Sequence, residues 1–262
     1  MKCKFVNLII VLCVGFVVLG VSSAKSANWN NQSLDIPETG SVSDAILQHT
    51  WDKAVFFVPE LGVFTKSNLP NVSKKYPTVL FMHGCGGITE DSRKWAAFLN
   101  SLGVLVIMPN SFAIPNRSKN CLPGQRNAGG NGKMIGNLRK NEIGYAVKQM
   151  KALSIVDMQN RFLFGHSEGG AAVTRVKGKA FRGVISSGYK CVSKIMVAPS
   201  VPILFLNHER DPYFPKAKEG CNNFLSSRST VSEVLSGGEG HNNAHVKEAQ
   251  VAVRDFMQLN KK

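Results

Sequence analysis

Acidic residues are scarce in this sequence. Only 17 Asp and Glu stand against 32 Lys and Arg, a net charge of +15, or +13 once Lys2 and Lys4 are set aside. No basic run is interleaved with aromatics, so the positive excess does not read as a nucleic-acid surface. Two readings of the charge stand side by side. It serves solubility, or it favours anionic substrates or an anionic envelope surface. There is also no internal repeat and no long low-complexity tract. Beyond the N-terminus no second long hydrophobic run occurs, so no stable membrane insertion is expected after processing.

The chain has 262 residues, 44% hydrophobic and 19% charged, enough for one large α/β domain. Its first segment reads separately. Lys2 and Lys4 precede an uncharged apolar run from Phe5 to Val21, and Val-Ser-Ser-Ala24 offers small residues where a signal peptidase reads. A signal peptide over 1–24, cleaved after Ala24, is expected. An uncleaved anchor is the alternative, its run of about 17 residues lying at the lower limit for a span. The mature product is then extracytoplasmic, periplasmic or secreted.

Export changes the meaning of the cysteines. Cys3 and Cys13 leave with the signal; Cys85, Cys121, Cys191 and Cys221 remain, an even number in an oxidising compartment. Four cysteines allow three pairings. Strand order favours Cys85–Cys121 and Cys191–Cys221, each pair lying in loops after neighbouring strands.

Residues 25–75 read as an N-terminal extension with a weak helix from Val42 to His49 and first strands at Ala54–Val58 and Gly62–Thr65. The core spans 76–262. Apolar strands are expected at Thr78–Met82, Val104–Met108, Phe162–Phe164, Phe181–Ile185, Val201–Leu206 and Thr230–Leu235. Helices are expected over Asp91–Leu102, about 137–153, after Gly169 and over 244–259. Residues 110–136 read as a long loop carrying Arg117, Lys119, Arg126 and Lys133. Arg139 and Glu142 are spaced to pair on one helix. Apolar strands alternating with helices predict an α/β fold, a mostly parallel sheet covered on both faces. Ligands of such sheets bind beyond the carboxyl ends of the strands.

The chemistry converges on Gly165-His-Ser167-Glu-Gly169. An apolar strand before it and small residues after it give the strand–turn–helix context of a nucleophile elbow. Ser167 needs a base, since a free hydroxyl is a poor nucleophile at neutral pH. His241, straight after the last strand, is the choice over His245 and His83. The base needs an acid to hold its tautomer. Asp211 is the choice, with Glu209 the alternative. The oxyanion needs fixed donors. The N–H of Glu168 and that of Cys85, in His83-Gly-Cys-Gly-Gly87, are expected to supply them. The Glu168 carboxylate reads as a structural acceptor.

With these residues in place, the chain resembles the dienelactone hydrolase-like branch of the α/β-hydrolases. The likeness rests on His-Gly-Cys-Gly-Gly, Gly-His-Ser-Glu-Gly-Gly, Asp211 with Pro215 four residues on, and Gly-Glu-Gly-His241. It covers about residues 76 to 258. The dienelactone hydrolases proper carry cysteine at the elbow where this chain has Ser167. The resemblance therefore implies a serine esterase-like relative acting on a small-molecule ester, anionic in one reading. No metal and no cofactor is implied. A serine peptidase on the same fold and a non-catalytic envelope-associated binding protein are the competing readings.

Overall fold

A computed structural model describes residues 42–114, 117, 121, 131–190, 195–214 and 230–262. The expected signal peptide, Cys191, Cys221, Lys119 and Arg126 lie outside the described residues. In chain order the elements are α1 (Asp44–Asp52), β1 (Val55–Val58), β2 (Gly62–Thr65), β3 (Tyr76–Met82), α2 (Glu90–Ser101), β4 (Leu105–Met108) and α3 (Asn131–Met150). They continue with β5 (Val156–His166), α4 (Glu168–Val173), β6 (Val184–Ser187), β7 (Ile203–Arg210), β8 (Thr230–Glu239) and α5 (Lys247–Asn260).

The strands form one sheet in the order β2-β1-β4-β3-β5-β6-β7-β8. β1 pairs antiparallel with β2 and β4, and every pairing from β4 across to β8 is parallel. Parallel strands need both faces covered, and alternate residues divide accordingly. Leu80, Met82, Leu105, Ile107 and Leu163 share one buried cluster with residues of α1, α3 and α4. Val79, Phe81, Val106, Met108, Phe162 and Phe164 share another with residues of α2 and α5. Fully burying each of these phenylalanines stabilises by about 1.5–3 kcal/mol. The helices punctuate as their sequences dictate. Thr89 caps α2 through its side chain, with Glu90 and Asp91 in the first turn, a favourable charge for that end. Gly103, at φ +74°, turns the chain out again.

The chain leaves β3 for β4 on one side and returns to β5 on the other, which makes the β3/β5 boundary the switch point of the sheet. There α4 packs onto the end of β3 with almost no separation. A Cβ on Gly169 would lie 1.9 Å from the carbonyl oxygen of Met82. A Cβ on Gly165 would lie 2.2 Å from the carbonyl oxygen of Gly169. Only hydrogen fits at either position.

Several expected boundaries move. The stretch 110–136 is not a single loop: a 3-10 turn covers Ser111–Ala113 and α3 begins at Asn131. Its opening residues, Asn131-Gly-Lys133, carry no apolar periodicity, so the pattern becomes visible only further along. β5 starts at Val156, upstream of its apolar run: Val156 pairs with Tyr76 and Arg161 with Thr78, and the mostly polar residues between them fall in a register shift. β6 begins at Val184 rather than Phe181. β7 runs on through exposed Glu209 and Arg210, which give no apolar signal. β8 likewise continues to Glu239, into the expected glycine loop.

Two glycine substitutions separate close packing from backbone strain. Gly169→Ala is expected to cost more than about 3 kcal/mol, because the obstructing atom is backbone and does not yield. Gly103→Ala has φ +74° but nothing within 4 Å, and is expected to cost about 1–2 kcal/mol. Thermal unfolding followed by circular dichroism ranks the two; equal losses would contradict the packing account.

Candidate active site

The elbow sits at the carboxyl end of β5. Ser167 has φ 56° and ψ −112°, a conformation that a non-glycine residue holds only when its surroundings dictate it. Two hydrogen bonds help to do so. The Ser167 N–H donates to the carbonyl of Ser187 at 2.8 Å, and the Ser167 carbonyl accepts from the Ala171 N–H at 3.0 Å. The flanking glycines let the chain turn this sharply, and Ser167 is 2% exposed.

Asp211 and His241 come together from the ends of β7 and β8. His241 Nδ1 donates to Asp211 Oδ2 at 2.8 Å, and the carboxylate is fully buried. Asp211 Oδ1 accepts from the N–H groups of Tyr213 (2.8 Å) and Phe214 (3.3 Å), so the carboxylate is fixed from both sides. With the proton on Nδ1, the lone pair lies on Nε2. That nitrogen is buried and has no hydrogen-bond partner among the described residues. The imidazole packs against the rings of Tyr213 (4.3 Å between centroids) and His166 (4.9 Å). His166 immediately precedes Ser167, so the His241 ring lies beside the elbow.

The segment carrying His241 is tied down by four hydrogen bonds from three elements, β7, α2 and β6. His208 Nε2 donates to the Asn242 carbonyl at 2.9 Å. Asn243 Nδ2 donates to the Leu206 carbonyl at 3.4 Å. Asp91 Oδ1 on α2 accepts from the Ala244 N–H at 3.1 Å. Ser187 Oγ donates to Asn243 Oδ1 at 2.7 Å, so it accepts from His166 Nδ1 at 3.1 Å, its one proton being committed.

The loop after β3 lies against the elbow: a Cβ on Gly84 would come within 3.3 Å of Ser167 Cβ. His83 fixes its start. The Ser111 N–H donates to His83 Nε2 at 3.0 Å, so the ring proton is on Nδ1, which donates to the Gly84 carbonyl at 2.7 Å. Burial, and then the positive charge of Arg139, hold the His83 imidazole well below its ordinary pKa. Cys85 is bonded to Cys121, their Cα atoms 5.4 Å apart.

Beneath both loops lies a cluster of four charges. Arg139 Nη1 donates to Glu142 Oε2 at 2.7 Å, and its Nη2 donates to the His83 carbonyl at 2.7 Å. Arg139 Nε stands 3.6 Å from Glu168 Oε1, which also accepts from Arg117. Arg139 and Glu142 are fully buried, and burial pushes the Glu142 carboxyl above its ordinary pKa against the pull of Arg139. Arg117 stacks on Phe112, 4.2 Å from its centroid, and Phe112 lies against His83.

No family model and no curated protein matches the sequence. Solved structures do. A putative dienelactone hydrolase from Klebsiella pneumoniae superposes with a TM-score of 0.55 at 14% identity, over 78% of this chain and 96% of the other. Esterase PE8 gives 0.52 at 16% identity, over 73% and 96%. Est1E from Butyrivibrio proteoclasticus, in its ferulic acid complex, gives 0.53 at 14% identity, over 79% and 94%. The chain has the α/β-hydrolase fold.

Within that fold the structure sorts the sequence candidates. Asp211 is buried against His241, whereas Glu209 is exposed at the end of β7. His245 is also exposed, and α5 begins only at Lys247, so the expected helix start at 244 is corrected. His83 has both ring nitrogens engaged and is no base. Cys85 and Cys121 are joined as expected, while Cys191 and Cys221 fall outside the described residues. The Glu168 carboxylate accepts from Arg117 and forms a longer ion pair, at 3.6 Å, with Arg139. Arg117, expected among the cations of a substrate loop, commits its charge to Glu168. The His166–Ser187–Asn243 chain and Asp91 had no sequence signal. Their partners lie 21, 56 and 153 residues apart, and only the folded sheet brings them together.

Two measurements follow from this geometry. Between its lowered folded value and the ordinary 6.5, the unfolded chain binds a proton at His83 that the folded chain refuses. Stability is therefore lost as pH falls below 6.5, with a contribution approaching about 1.4 kcal/mol per pH unit. His83→Asn should remove that contribution, giving a shallower decline between pH 7 and 5 in denaturant titrations; an unchanged slope contradicts the assignment. Non-reducing peptide mapping of the mature protein should recover Cys85 linked to Cys121, and linkage of Cys85 to Cys191 or Cys221 would refute the pairing.

Proposed function

We propose that the protein is an exported serine hydrolase that cleaves a carboxylic ester through an acyl-enzyme. The observation that carries this reading is the His241–Asp211 hydrogen bond, which leaves the His241 Nε2 lone pair beside the elbow that presents Ser167. Asp211 is the acceptor of the His241 Nδ1 proton. It holds the imidazole in the tautomer a base needs and stabilises the imidazolium that forms.

In this mechanism His241 Nε2 takes the Ser167 hydroxyl proton as Oγ attacks the ester carbonyl. The carbonyl oxygen takes up the electron pair, and the N–H groups of Glu168 and Cys85 hold the resulting oxyanion. Glu168 opens α4, so its N–H lies at the positive end of a helix. The tetrahedral intermediate collapses, the C–O bond to the alcohol breaks, and the imidazolium protonates the leaving oxygen. Water then enters by the same route. His241 takes its proton, hydroxide oxygen attacks the acyl carbon, and Ser167 leaves with the proton returned. The acid and the free enzyme are the products.

Export is supported by the N-terminal segment that reads as a signal peptide and by the Cys85–Cys121 bridge, a bond favoured in oxidising compartments. Among the described residues no helix is long and apolar enough to cross a membrane.

Purified mature protein should hydrolyse p-nitrophenyl butyrate and take up a fluorophosphonate probe. Ser167→Ala should abolish both. Asp211→Asn should lower kcat by about 10³- to 10⁴-fold by supplying the wrong partner to Nδ1. Full activity of the Ser167 variant would sink the reading, and a folded wild type inert to every serine-directed probe would favour a binding protein instead.

A further inference from the structure

Arg139 is fully buried and touches three parts of the molecule at once. It forms an ion pair with Glu142 on its own helix, donates to the carbonyl of His83, and faces the carboxylate of Glu168. His83 precedes Gly84 and Cys85, and Glu168 follows Ser167. The same guanidinium is therefore hydrogen-bonded to one, and ion-paired at 3.6 Å to the other, of the two segments whose N–H groups the proposed mechanism uses.

Stability alone does not account for this arrangement. Taking charges out of water is costly, and well-packed apolar side chains of similar volume often stabilise as well or better. The charges balance, two positive and two negative, so the cluster applies no large net field to the site. What it does supply is geometry. A planar guanidinium offers its donors in a fixed fork, and here the fork spans from the end of β3 to the start of α4. Glu142 holds one edge of that fork in register. Arg117 grips Glu168 from a segment that the Cys85–Cys121 bridge returns to the β3 loop. The contacts close a ring: His83 to Cys85, across the bridge to Cys121, back to Arg117, on to Glu168, through Arg139 and again to His83.

We propose that Arg139 is a positioning residue that sets the spacing of the two oxyanion donors, the N–H groups of Cys85 and Glu168. This rests on the serine hydrolase reading above. Arg139 touches neither the substrate nor the reacting atoms. Its effect passes through the His83 carbonyl and the Glu168 carboxylate. Stabilisation by fixed donors depends on their placement at the oxygen of the tetrahedral state, and a misplacement of about 1 Å costs on the order of 10²-fold in rate.

The test compares Arg139→Met and Arg139→Lys with wild type and Ser167→Ala in the full mature chain. Five quantities are read: kcat and KM for p-nitrophenyl butyrate, the inhibition constants of a trifluoromethyl ketone and of butyrate, and the Tm. The ketone adds to the serine and places an oxyanion between the donors; butyrate itself, as a product, reports ground-state binding. Arg139→Met should lose on the order of 10²-fold in kcat and in ketone affinity together, with KM and butyrate binding within about two-fold. Arg139→Lys, whose single ammonium reaches the His83 carbonyl or Glu168 but lacks the fork, should lose about ten-fold in both.

A folded Met variant with wild-type kcat and ketone affinity overturns the inference. If that variant does not fold, the Lys variant decides alone: a lower Tm with unchanged kinetics overturns the inference, and a parallel loss in kcat and ketone affinity upholds it. Activity retained by Ser167→Ala overturns both this inference and the reading beneath it. An inert Ser167→Ala beside fully active Arg139 variants removes the positioning role and leaves the hydrolase reading standing.

Discussion

The contact between the backbone at Gly169 and the carbonyl of Met82 is the constraint on which the site depends. With no side chain between them, the first turn of α4 rests directly on the end of β3. Ser167 is the residue that must join β5 to a helix so placed, and a positive φ is the geometry that joins them. Had α4 stood off by one methyl group, Ser167 would have no reason to hold that conformation. The loop after β3 would also no longer lie against it. The same contact thus brings together the elbow, the β3 loop and the charge cluster beneath them.

The second organising feature is the way protons are allotted among histidines. His83 receives one hydrogen bond and gives one, both to backbone groups, in a place where a charged ring is disfavoured. His166 gives its Nδ1 proton to Ser187. His241 gives its own to Asp211 and has Nε2 left over. Neighbouring acceptors and donors thus fix which ring nitrogen of each imidazole carries the proton.

Much of this was legible in the residues. The parallel strands declared themselves because they are buried on both faces, and an uninterrupted run such as Phe162-Leu-Phe164 has no other use. Ser167, Asp211 and His241 were legible because the turn around the serine restricts its neighbours to glycine and because each residue follows a strand. Strand ends were not, since the outer residues of β5, β7 and β8 are largely polar and lie at irregularities of the ladder. The start of α3 was hidden for a similar reason, its first turn showing no apolar stripe. Arg139 and Glu142 were recognisable as a pair, three residues apart on one helix. Their reach to Glu168 and to the His83 carbonyl was not, because no periodicity reports a contact across 29 or 56 positions.

The stretch between β4 and α3 has a bearing on how such a protein changes. Ser111 donates to His83, Arg117 grips Glu168, and Cys121 is bonded to Cys85. A segment of this kind, next to the site and rich in turn-forming residues, is where a lineage ordinarily varies its choice of substrate. Here three of its residues are fastened to the parts that hold the serine and the β3 loop. Under the proposed hydrolase reading, changes in substrate and changes in turnover therefore act on the same backbone. Substitution at any of these three positions thus carries a structural cost that its place outside the sheet does not suggest.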